Sequence, residues 1–186
     1  MNIEEIRLLA ANCELCDLYK GRITPVFDKG NPEADIFICG MVPAHEENLK
    51  GLPFVGRAGK LLDILLEDSG LSLDTVYITN LVKCFLAAGK PLEKDWISTC
   101  QLYLTAQIEE LRPKVIIALG NDAAHALLPG FENVGMSKLR LDTFKFKEYT
   151  IIPTYHPSFL LRKGGKIETN VYYKQTLDDF KKAQQH

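Results

Sequence analysis

Residues 34–40 of this chain read ADIFICG, and three further segments share their character: 75–80 (TVYITN), 114–120 (KVIIALG) and 149–156 (YTIIPTYH). Each segment is short, is rich in β-branched or aromatic residues, and ends at residues that favour turns. None of them alternates cleanly between apolar and polar residues. Nearly continuous apolar runs are typical of strands buried on both faces, so the four segments predict a parallel sheet.

Helical patterns separate the four predicted strands. Residues 59–69 carry leucines at helical spacing, and residues 92–112 form a long amphipathic segment that stops at Pro113. Further helices are predicted over residues 3–12, 121–128 and 168–184. Strands that alternate with helices indicate an α/β fold, with helices covering both faces of a mostly parallel sheet.

Polar and glycine residues follow the predicted strands. The first strand leads into Gly40 and a Gly-x-x-Pro loop, the second ends at Asn80, the third at Gly120, and the fourth at His156. In open α/β sheets, ligands bind outside the carboxyl ends of the strands. We therefore expect the loop, the amide and the imidazole to converge on one edge of the sheet.

Length and composition suit a single globular domain over residues 1–186. Hydrophobic residues make up 46% of the chain and charged residues 25%, which excludes a disordered protein and a coiled-coil rod. No apolar run approaches the ~20 residues that a membrane helix needs, and the acidic N-terminal segment does not resemble a signal peptide. We expect a cytoplasmic monomer that does not associate with membranes.

Charge is unevenly distributed along the chain. The net charge is −2, but residues 138–186 hold 10 Lys and Arg against 5 Asp and Glu. This basic C-terminal segment is a weak indication of a surface that faces a polyanion. A solvated protein face has the same composition, and charge alone favours that interpretation.

Four of the five cysteines are spaced like ligands of a metal centre. Cys13 and Cys16 form a C-x2-C pair, and Cys84 and Cys100 follow at long intervals. Four thiolates suit either a tetrahedral zinc ion or an iron–sulfur cluster, and spacing alone does not choose between them. Cys39 lies within the first predicted strand and is interpreted as a buried thiol. The alternative is that all five are core residues.

Several longer motifs resemble the iron–sulfur uracil-DNA glycosylases, family 4 of the uracil-DNA glycosylase superfamily. Besides the cysteine spacing, the resemblance rests on residues 51–62 (GLPFVGRAGKLL), 77–84 (YITNLVKC), 137–140 (SKLR) and 153–162 (PTYHPSFLLR). It implies a three-layer α/β/α sandwich with a central four-stranded parallel sheet. It also implies a [4Fe-4S] cluster on Cys13, Cys16, Cys84 and Cys100.

The same resemblance assigns roles to residues near the predicted edge. It implies that Phe54 stacks on a base extruded from DNA, and that the side-chain amide of Asn80 reads the hydrogen-bonding edge of this base. His156 would donate a hydrogen bond to the departing base. Gly40, Met41 and Val42 would line the base pocket.

A second group of residues is implied to contact DNA. The segment that contains Ser158 and Arg162 would enter the minor groove. There Leu160 or Leu161 would wedge into the gap left by the flipped nucleotide.

One motif departs from the family. The family usually has Gly-Glu-(Ala/Gly)-Pro-Gly after the first strand, whereas residues 40–44 here read GMVPA. Met41 replaces the carboxylate and can neither orient nor deprotonate water. A form without a polar residue, Gly-Leu-Ala-Pro-Ala, also occurs in the active family 5 branch. Glu47 and His45 are the remaining candidates to guide the water, although a solvated loop would have the same composition.

The sequence therefore predicts a DNA glycosylase that hydrolyses the N-glycosidic bond of uracil in DNA. A first alternative is a glycosylase for another base, such as hypoxanthine or a modified cytosine of phage DNA. A second alternative is a catalytically silent iron–sulfur module that binds DNA.

Overall fold

The computed structural model describes residues 1–164 and 166–186. Its strands form a single sheet. In chain order they are β1 (Asp28–Gly30), β2 (Ile36–Gly40), β3 (Val76–Asn80), β4 (Val115–Leu119), β5 (Phe144–Phe146) and β6 (Tyr149–Thr154).

The sheet has the order β1-β3-β2-β4-β6-β5. The four central strands are parallel to one another, and every residue in them is buried. This confirms the predicted parallel centre of the sheet. The edge strands β1 and β5 run antiparallel to their neighbours and were not predicted. Each has only three residues, which is too short for a hydrophobic pattern.

Eight α-helices lie in the described residues, besides two short 3-10 helices (Asp17–Gly21 and Ile167–Thr169): α1 (Ile3–Ala11), α2 (His45–Lys50), α3 (Arg57–Ser69), α4 (Lys94–Leu111), α5 (Asn121–Leu127), α6 (Met136–Leu139), α7 (Pro157–Lys163) and α8 (Val171–Ala183). Helices α1, α3, α4, α5 and α8 were predicted, with shifted ends. Helix α8 begins later than predicted because the Asn170 side chain caps it, accepting from the Tyr172 and Tyr173 N–H groups. The short helices α2, α6 and α7 were not predicted.

Alternate residues of each central strand enter different hydrophobic layers. In β2, Phe37 and Cys39 face a layer with α1, α4 and α5, whereas Ile36 and Ile38 face a layer with α3 and α8. The chain is therefore an α/β/α sandwich, as predicted. None of the described helices combines the length and hydrophobicity needed to span a membrane.

The sheet brings the carboxyl ends of its central strands together. Gly40 is paired in register with Asn80 across β2 and β3. On the other side, the Gly120 N–H donates to the Thr154 carbonyl at 2.9 Å, which holds the end of β4 beside the end of β6. The loop after β2, Asn80 and His156 thus meet at one edge, as the sequence predicts.

Candidate active site at the carboxyl edge of the sheet

A cavity of about 360 Å³ opens at this edge. Most of the residues predicted to recognise a base contribute to its wall. The lining consists of Met41, Val42, Pro43, Ala44, Glu47, Phe54, Ala58, Asn80, Leu86, Ala87, Ala88, Gly89, Lys90, His156 and Ser158.

Gly40 sits where three parts of this wall meet. A Cβ atom at this position would lie 2.4 Å from Phe54 Cζ and 2.4 Å from Asn80 Oδ1. Both distances are far below van der Waals contact. The glycine is therefore what allows the Phe54 ring and the Asn80 amide to lie against the end of β2.

Phe54 is held in an unusual backbone conformation. Its φ is +53°, in the left-handed region that non-glycine residues rarely adopt. Its carbonyl accepts a hydrogen bond from Lys29 Nζ at 2.9 Å, and a Cβ at Gly59 would lie only 1.9 Å from that oxygen. The Phe54 ring is 5% exposed and lies 5.7 Å from the His156 ring. These contacts fix one apolar face of the cavity.

The Asn80 side chain is 3% exposed and borders the cavity. Among the described residues, no side chain or backbone group hydrogen-bonds to its amide. Gln175 Oε1 is the sole fully buried side-chain polar atom without a partner in the described residues, so the Asn80 amide is not sealed off in this way. It is open to the cavity, where a ligand can pair with both its N–H and its oxygen.

His156 has its tautomer set by helix α7, for which it is the N-cap residue. The Ser158 N–H donates to His156 Nδ1 at 3.1 Å, so in the neutral ring the proton is on Nε2. The pKa of His156 is lowered to about 4, mainly by burial and to a smaller extent by Arg162, with Glu47 opposing the shift. The imidazole is therefore neutral at physiological pH and can donate from Nε2.

Glu47 is buried, and backbone N–H groups surround its carboxylate. Oε1 accepts from Val55 and Gly56, each at 2.9 Å, and Oε2 accepts from Ala44 at 3.2 Å. The side chain thereby ties α2 to the loop that carries Phe54. It also borders the cavity, so it is not part of a solvated loop.

The other candidate near this loop, His45, is placed differently. It is exposed and faces the Phe85 ring, with ring centroids 6.4 Å apart. It is not among the described residues that line the cavity. The structure therefore brings Glu47, but not His45, to the predicted base site.

Met41 and Val42 form part of the cavity wall, whereas Gly40 is not among the described residues that line it. Beyond Met41 lies a second cavity of about 490 Å³, and the two cavities share Met41, His156 and Ser158. The second cavity also contains the polar side chains of Asp122 and Arg162. The imidazole therefore lies in the wall between a smaller and a larger cavity.

The predicted DNA-contacting residues lie on α7, and their exposure differs. Leu160 is 3% exposed and packs in the core, whereas Leu161 is 37% exposed. Arg162 is exposed, and its guanidinium donates to Ser158 Oγ at 3.3 Å. Of the two leucines, only Leu161 is available to a partner without unfolding of α7.

The four spaced cysteines surround one small cavity, although they come from distant parts of the chain. Its lining includes Cys13, Cys16, Cys84, Cys100, Arg22, Lys83 and Tyr103. All four thiols are free of disulfides. Arg22 donates to Cys84 Sγ at 3.2 Å and to the Cys13 carbonyl at 2.7 Å.

Cys39 is separate from this group. It is fully buried in β2, where its thiol donates weakly to the Gly40 carbonyl at 3.4 Å. Burial raises its pKa to about 12. Cys39 is therefore a protonated core thiol, consistent with its position in the predicted strand.

Sequence reasoning missed several residues that shape these sites. Lys29 and Lys83 lie behind the cavity wall and donate to the Phe54 and Asn80 carbonyls. Arg22 donates to the thiol of Cys84, and residues 86–90 form one side of the cavity. Lys83 had one detectable signal, because a lysine between a strand and Cys84 interrupts a buried segment. The others lie in loops, where no periodicity indicates which way a side chain points.

Comparison with known proteins places this architecture in a family. The sequence model of the Uracil DNA glycosylase superfamily matches residues 27–181. The type-4 uracil-DNA glycosylase of Saccharolobus solfataricus is 39% identical over 167 residues, which cover 86% of this chain and 77% of the relative. The type-4 enzyme of Thermotoga maritima is 38% identical over 174 residues, covering 92% and 87%.

A third relative extends the pattern. The type-4 uracil-DNA glycosylase of Archaeoglobus fulgidus is 35% identical over 166 residues, covering 86% of this chain and 83% of the relative. The superfamily match spans the sheet, the cavity and α7. The chain belongs to the uracil-DNA glycosylase superfamily and, within it, groups with the type-4 enzymes.

Proposed function

We propose that this protein excises uracil from DNA by hydrolysing the N-glycosidic bond of a flipped nucleotide. The observation that supports this best is one pair of side chains in the 360 Å³ cavity. Asn80 presents an unpaired amide, and His156 presents an Nε2 proton. The Asn80 amide would recognise the pyrimidine base, and the His156 Nε2 proton would stabilise this base as it departs from the sugar.

Base recognition rests on Phe54 and Asn80. The fixed Phe54 ring offers an apolar face on which a planar base stacks. The Asn80 amide supplies one acceptor and two N–H donors, which match the N3–H and O4 groups of uracil. In the amide orientation that pairs with uracil, cytosine would leave both groups unpaired, because it has a donor in place of O4 and lacks the N3 proton.

The leaving group is stabilised by His156. As the glycosidic bond breaks, negative charge develops on the base, and the Nε2 proton would donate to its O2. A preorganised donor of this kind contributes roughly 3–4 kcal/mol to transition-state stabilisation. Backbone N–H groups of the loop after β2 would add to this effect. The neutral imidazole suits the role because it donates without first having to lose or gain a proton.

Water addition proceeds without a carboxylate at position 41. In a dissociative path, the sugar develops oxocarbenium character before water attacks, so strong base catalysis is not essential. Of the two candidates, Glu47 borders the cavity and His45 does not. Three N–H groups occupy the Glu47 carboxylate, which has about four lone-pair sites, so one remains to orient a water molecule.

DNA binding would use α7 and the basic C-terminal segment. Leu161 is the exposed leucine and is proposed as the wedge, with Ser158 and Arg162 beside it to contact the backbone. Phosphate contacts release counterions, so affinity should fall as salt rises, and Arg162→Ala should weaken binding to all sequences alike. Affinity that is equal at low and physiological salt would contradict this part of the proposal.

The four cysteines are proposed to hold a [4Fe-4S] cluster. The four thiols line one small cavity of about 10 Å³, although the described residues include no group of three or more His, Cys, Asp or Glu side chains already arranged to hold a metal ion. Four thiolates suit either a zinc ion or a cluster, and the resemblance to the type-4 enzymes favours the cluster. When bound, the cluster supplies a covalent crosslink between distant segments.

The protein's own residues support this interpretation of the cysteine site. Cys13 and Cys16 would hold one side of the cluster, with Cys84 and Cys100 on the other. Arg22 and the Lys83 N–H already point at sulfur atoms, at 3.2 and 3.3 Å. Such donors stabilise anionic thiolate ligands.

The decisive experiment measures base release from oligonucleotides that contain uracil, hypoxanthine or a modified cytosine. Release of uracil at the highest kcat/KM supports the proposal. Preference for another base would favour the alternative substrate class, for which Met41 in place of the family's carboxylate, with Val42 beside it in the cavity wall, is the relevant observation. Binding with no release of any base would favour a silent DNA-binding module.

A further inference from the structure

Lys83 lies behind the base cavity, and its ammonium group is enclosed by protein. The side chain is 2% exposed. Its Nζ lies 2.6 Å from the Asn80 carbonyl, 2.6 Å from Gln107 Oε1 and 2.7 Å from Thr79 Oγ1. A buried lysine is unfavourable unless its donors are satisfied, and here three donors meet three acceptors.

The directions of these hydrogen bonds are set by neighbouring groups. The Thr79 hydroxyl donates to the Phe27 carbonyl at 2.6 Å, so it accepts from Lys83. The Gln107 amide donates through Nε2 to the Tyr77 hydroxyl at 2.8 Å, which leaves Oε1 as the acceptor. Lys83 is therefore held as a three-fold donor at one defined position.

The bond to the Asn80 carbonyl matters most, because β3 ends there. Within the sheet, neighbouring strands set the orientation of each peptide group. Beyond Asn80 the chain turns away, and the Leu81 and Val82 N–H groups donate to the Gly40 and Met41 carbonyls. The peptide group between Asn80 and Leu81 is therefore held from both sides, with its N–H bonded to the Gly40 carbonyl and its C=O bonded to the Lys83 ammonium.

The same residue also reaches the cysteine site. Its backbone N–H donates to Cys100 Sγ at 3.3 Å, and Cys84 follows it directly in the chain. One residue therefore contacts both the base-reading strand end and the proposed cluster ligands.

We propose that Lys83 is a positioning residue for base recognition: its ammonium holds Asn80 in the orientation that reads the base, and its backbone joins this point to the cysteine site. The inference rests on the proposed role of Asn80 as the reader of the base. It predicts that Lys83 acts through Asn80 and not through fold stability alone.

A double-mutant cycle tests this link. Lys83→Met keeps the length of the side chain but removes the ammonium. We expect kcat for uracil excision to fall on the order of 10- to 100-fold, as for a misplaced recognition group, with a smaller change in KM. The double variant Asn80→Ala/Lys83→Met should be no slower than Asn80→Ala alone, because the two residues act as one unit. Losses that multiply independently would overturn the inference.

A second measurement does not depend on activity. The side-chain amide signal of Asn80, assigned by its disappearance in Asn80→Ala, should shift and broaden in the NMR spectrum of Lys83→Met. Iron content should stay as in the parent protein. An unchanged Asn80 signal would overturn the inference, whether or not the parent protein releases uracil. Absence of uracil release from the parent protein would instead contradict only the proposed function.

Two further variants complete the design. Lys114→Met is the matched control, because Lys114 is an exposed lysine at the opposite end of the sheet, paired with Asp35. It should leave activity and the Asn80 signal unchanged. Gln107→Leu removes one acceptor while keeping Lys83, so it should shift the Asn80 signal in the same direction, and this variant decides the question if Lys83→Met does not fold.

Discussion

The Ser158 N–H group donates to His156 Nδ1 at 3.1 Å, and this single hydrogen bond determines which nitrogen of His156 carries the proton. A backbone N–H can only donate, so Nδ1 must accept. The proton of the neutral ring is therefore on Nε2. Since His156 is also the N-cap of α7, the helix that presents Leu161 and Arg162 sets the state of the proposed catalytic imidazole.

Loss of this donor should be the most damaging change in the cavity. His156→Ala should lower kcat for uracil excision by roughly 10²–10³-fold, because the developing charge on the base loses its donor. Met41→Ala should cost less, and Met41→Glu should change activity by less than His156→Ala does. Single-turnover excision rates measure all three. If Met41→Glu raised uracil excision by several orders of magnitude, uracil would not be the natural substrate.

The pH profile should reflect the lowered pKa of His156. The pKa of His156 is about 4, so the neutral ring, whose Nδ1 accepts from the Ser158 N–H, persists well below the pKa of ~6.5 of an ordinary histidine. We expect kcat to be nearly constant between about pH 5.5 and 8, with an acid limb below that range. A limb centred near pH 6.5 that disappears in His156→Ala would contradict the assignment.

The same shift should affect stability in a defined direction. Between pH ~6.5 and about 4, the unfolded chain protonates His156 while the folded chain does not. The neutral His156 of the folded state therefore contributes fully to the free energy of unfolding above pH ~6.5. This contribution is lost as the pH falls from ~6.5 to about 4. Denaturation of the parent protein and of His156→Ala at several pH values measures it, since the variant should lack this part of the pH dependence.

The adjacent leucines of α7 provide a matched pair. Leu161→Ala should reduce excision from duplex DNA more than from single-stranded DNA, because a wedge is needed only where a stacked base must be flipped. It should leave stability nearly unchanged, since the side chain is 37% exposed. Leu160→Ala should instead lower the free energy of unfolding by ~2–5 kcal/mol, as for a buried leucine. Equal effects of the two substitutions on duplex activity would argue against the wedge.

Glu47 should affect activity mainly by holding the loop that carries Phe54, through its bonds to the Val55 and Gly56 N–H groups. Glu47→Gln keeps one oxygen for the Val55 and Gly56 N–H groups, so we expect less than about a tenfold loss of kcat. Glu47→Ala leaves those donors unpaired and should lower stability by ~1–3 kcal/mol while loosening Phe54. Urea denaturation and excision rates distinguish the two. If Glu47→Gln were as inactive as His156→Ala, the carboxylate itself would be a base.

Four of the five cysteines should bind the iron–sulfur cluster, and Cys39 should not. Purified protein should be brown with a broad absorbance near ~400 nm, which is typical of iron–sulfur proteins. Cys39→Ser should keep the iron, because Cys39 is buried in β2 away from the cysteine site. Replacement of Cys13, Cys16, Cys84 or Cys100 by serine should lose it. Colourless protein with one stoichiometric zinc ion would exclude the cluster.

Local patterns in the chain were sufficient for the architecture. Four apolar runs and the helices between them predict the parallel centre of the sheet, because burial on both faces imposes a composition that each strand carries by itself. They also predict that Asn80 and His156 meet, since parallel strands end at the same edge. Edge strands β1 and β5 remain hidden, because three residues are too few to show a period.

For the short helix α7, the sequence indicates where the helix starts but not which of its side chains are exposed. Its start carried a local signal, since Pro157 occupies the first helical position after His156. Which of Leu160 and Leu161 is exposed could not be predicted, because that depends on how the helix lies against the core. Sequence reasoning therefore left two candidates for the wedge, and burial removes one.

The finer features of the cavity depend on contacts between distant segments. Glu47 resembled a solvated or catalytic loop residue until its bonds to Val55 and Gly56 were visible, and Lys83 resembled an interruption until Asn80, Thr79 and Gln107 surrounded it. Hydrophobic periodicity is a property of neighbouring residues, so it can be read along the chain. The partner of a buried polar group depends on strand order and long-range packing, which exist only once the whole sheet has formed.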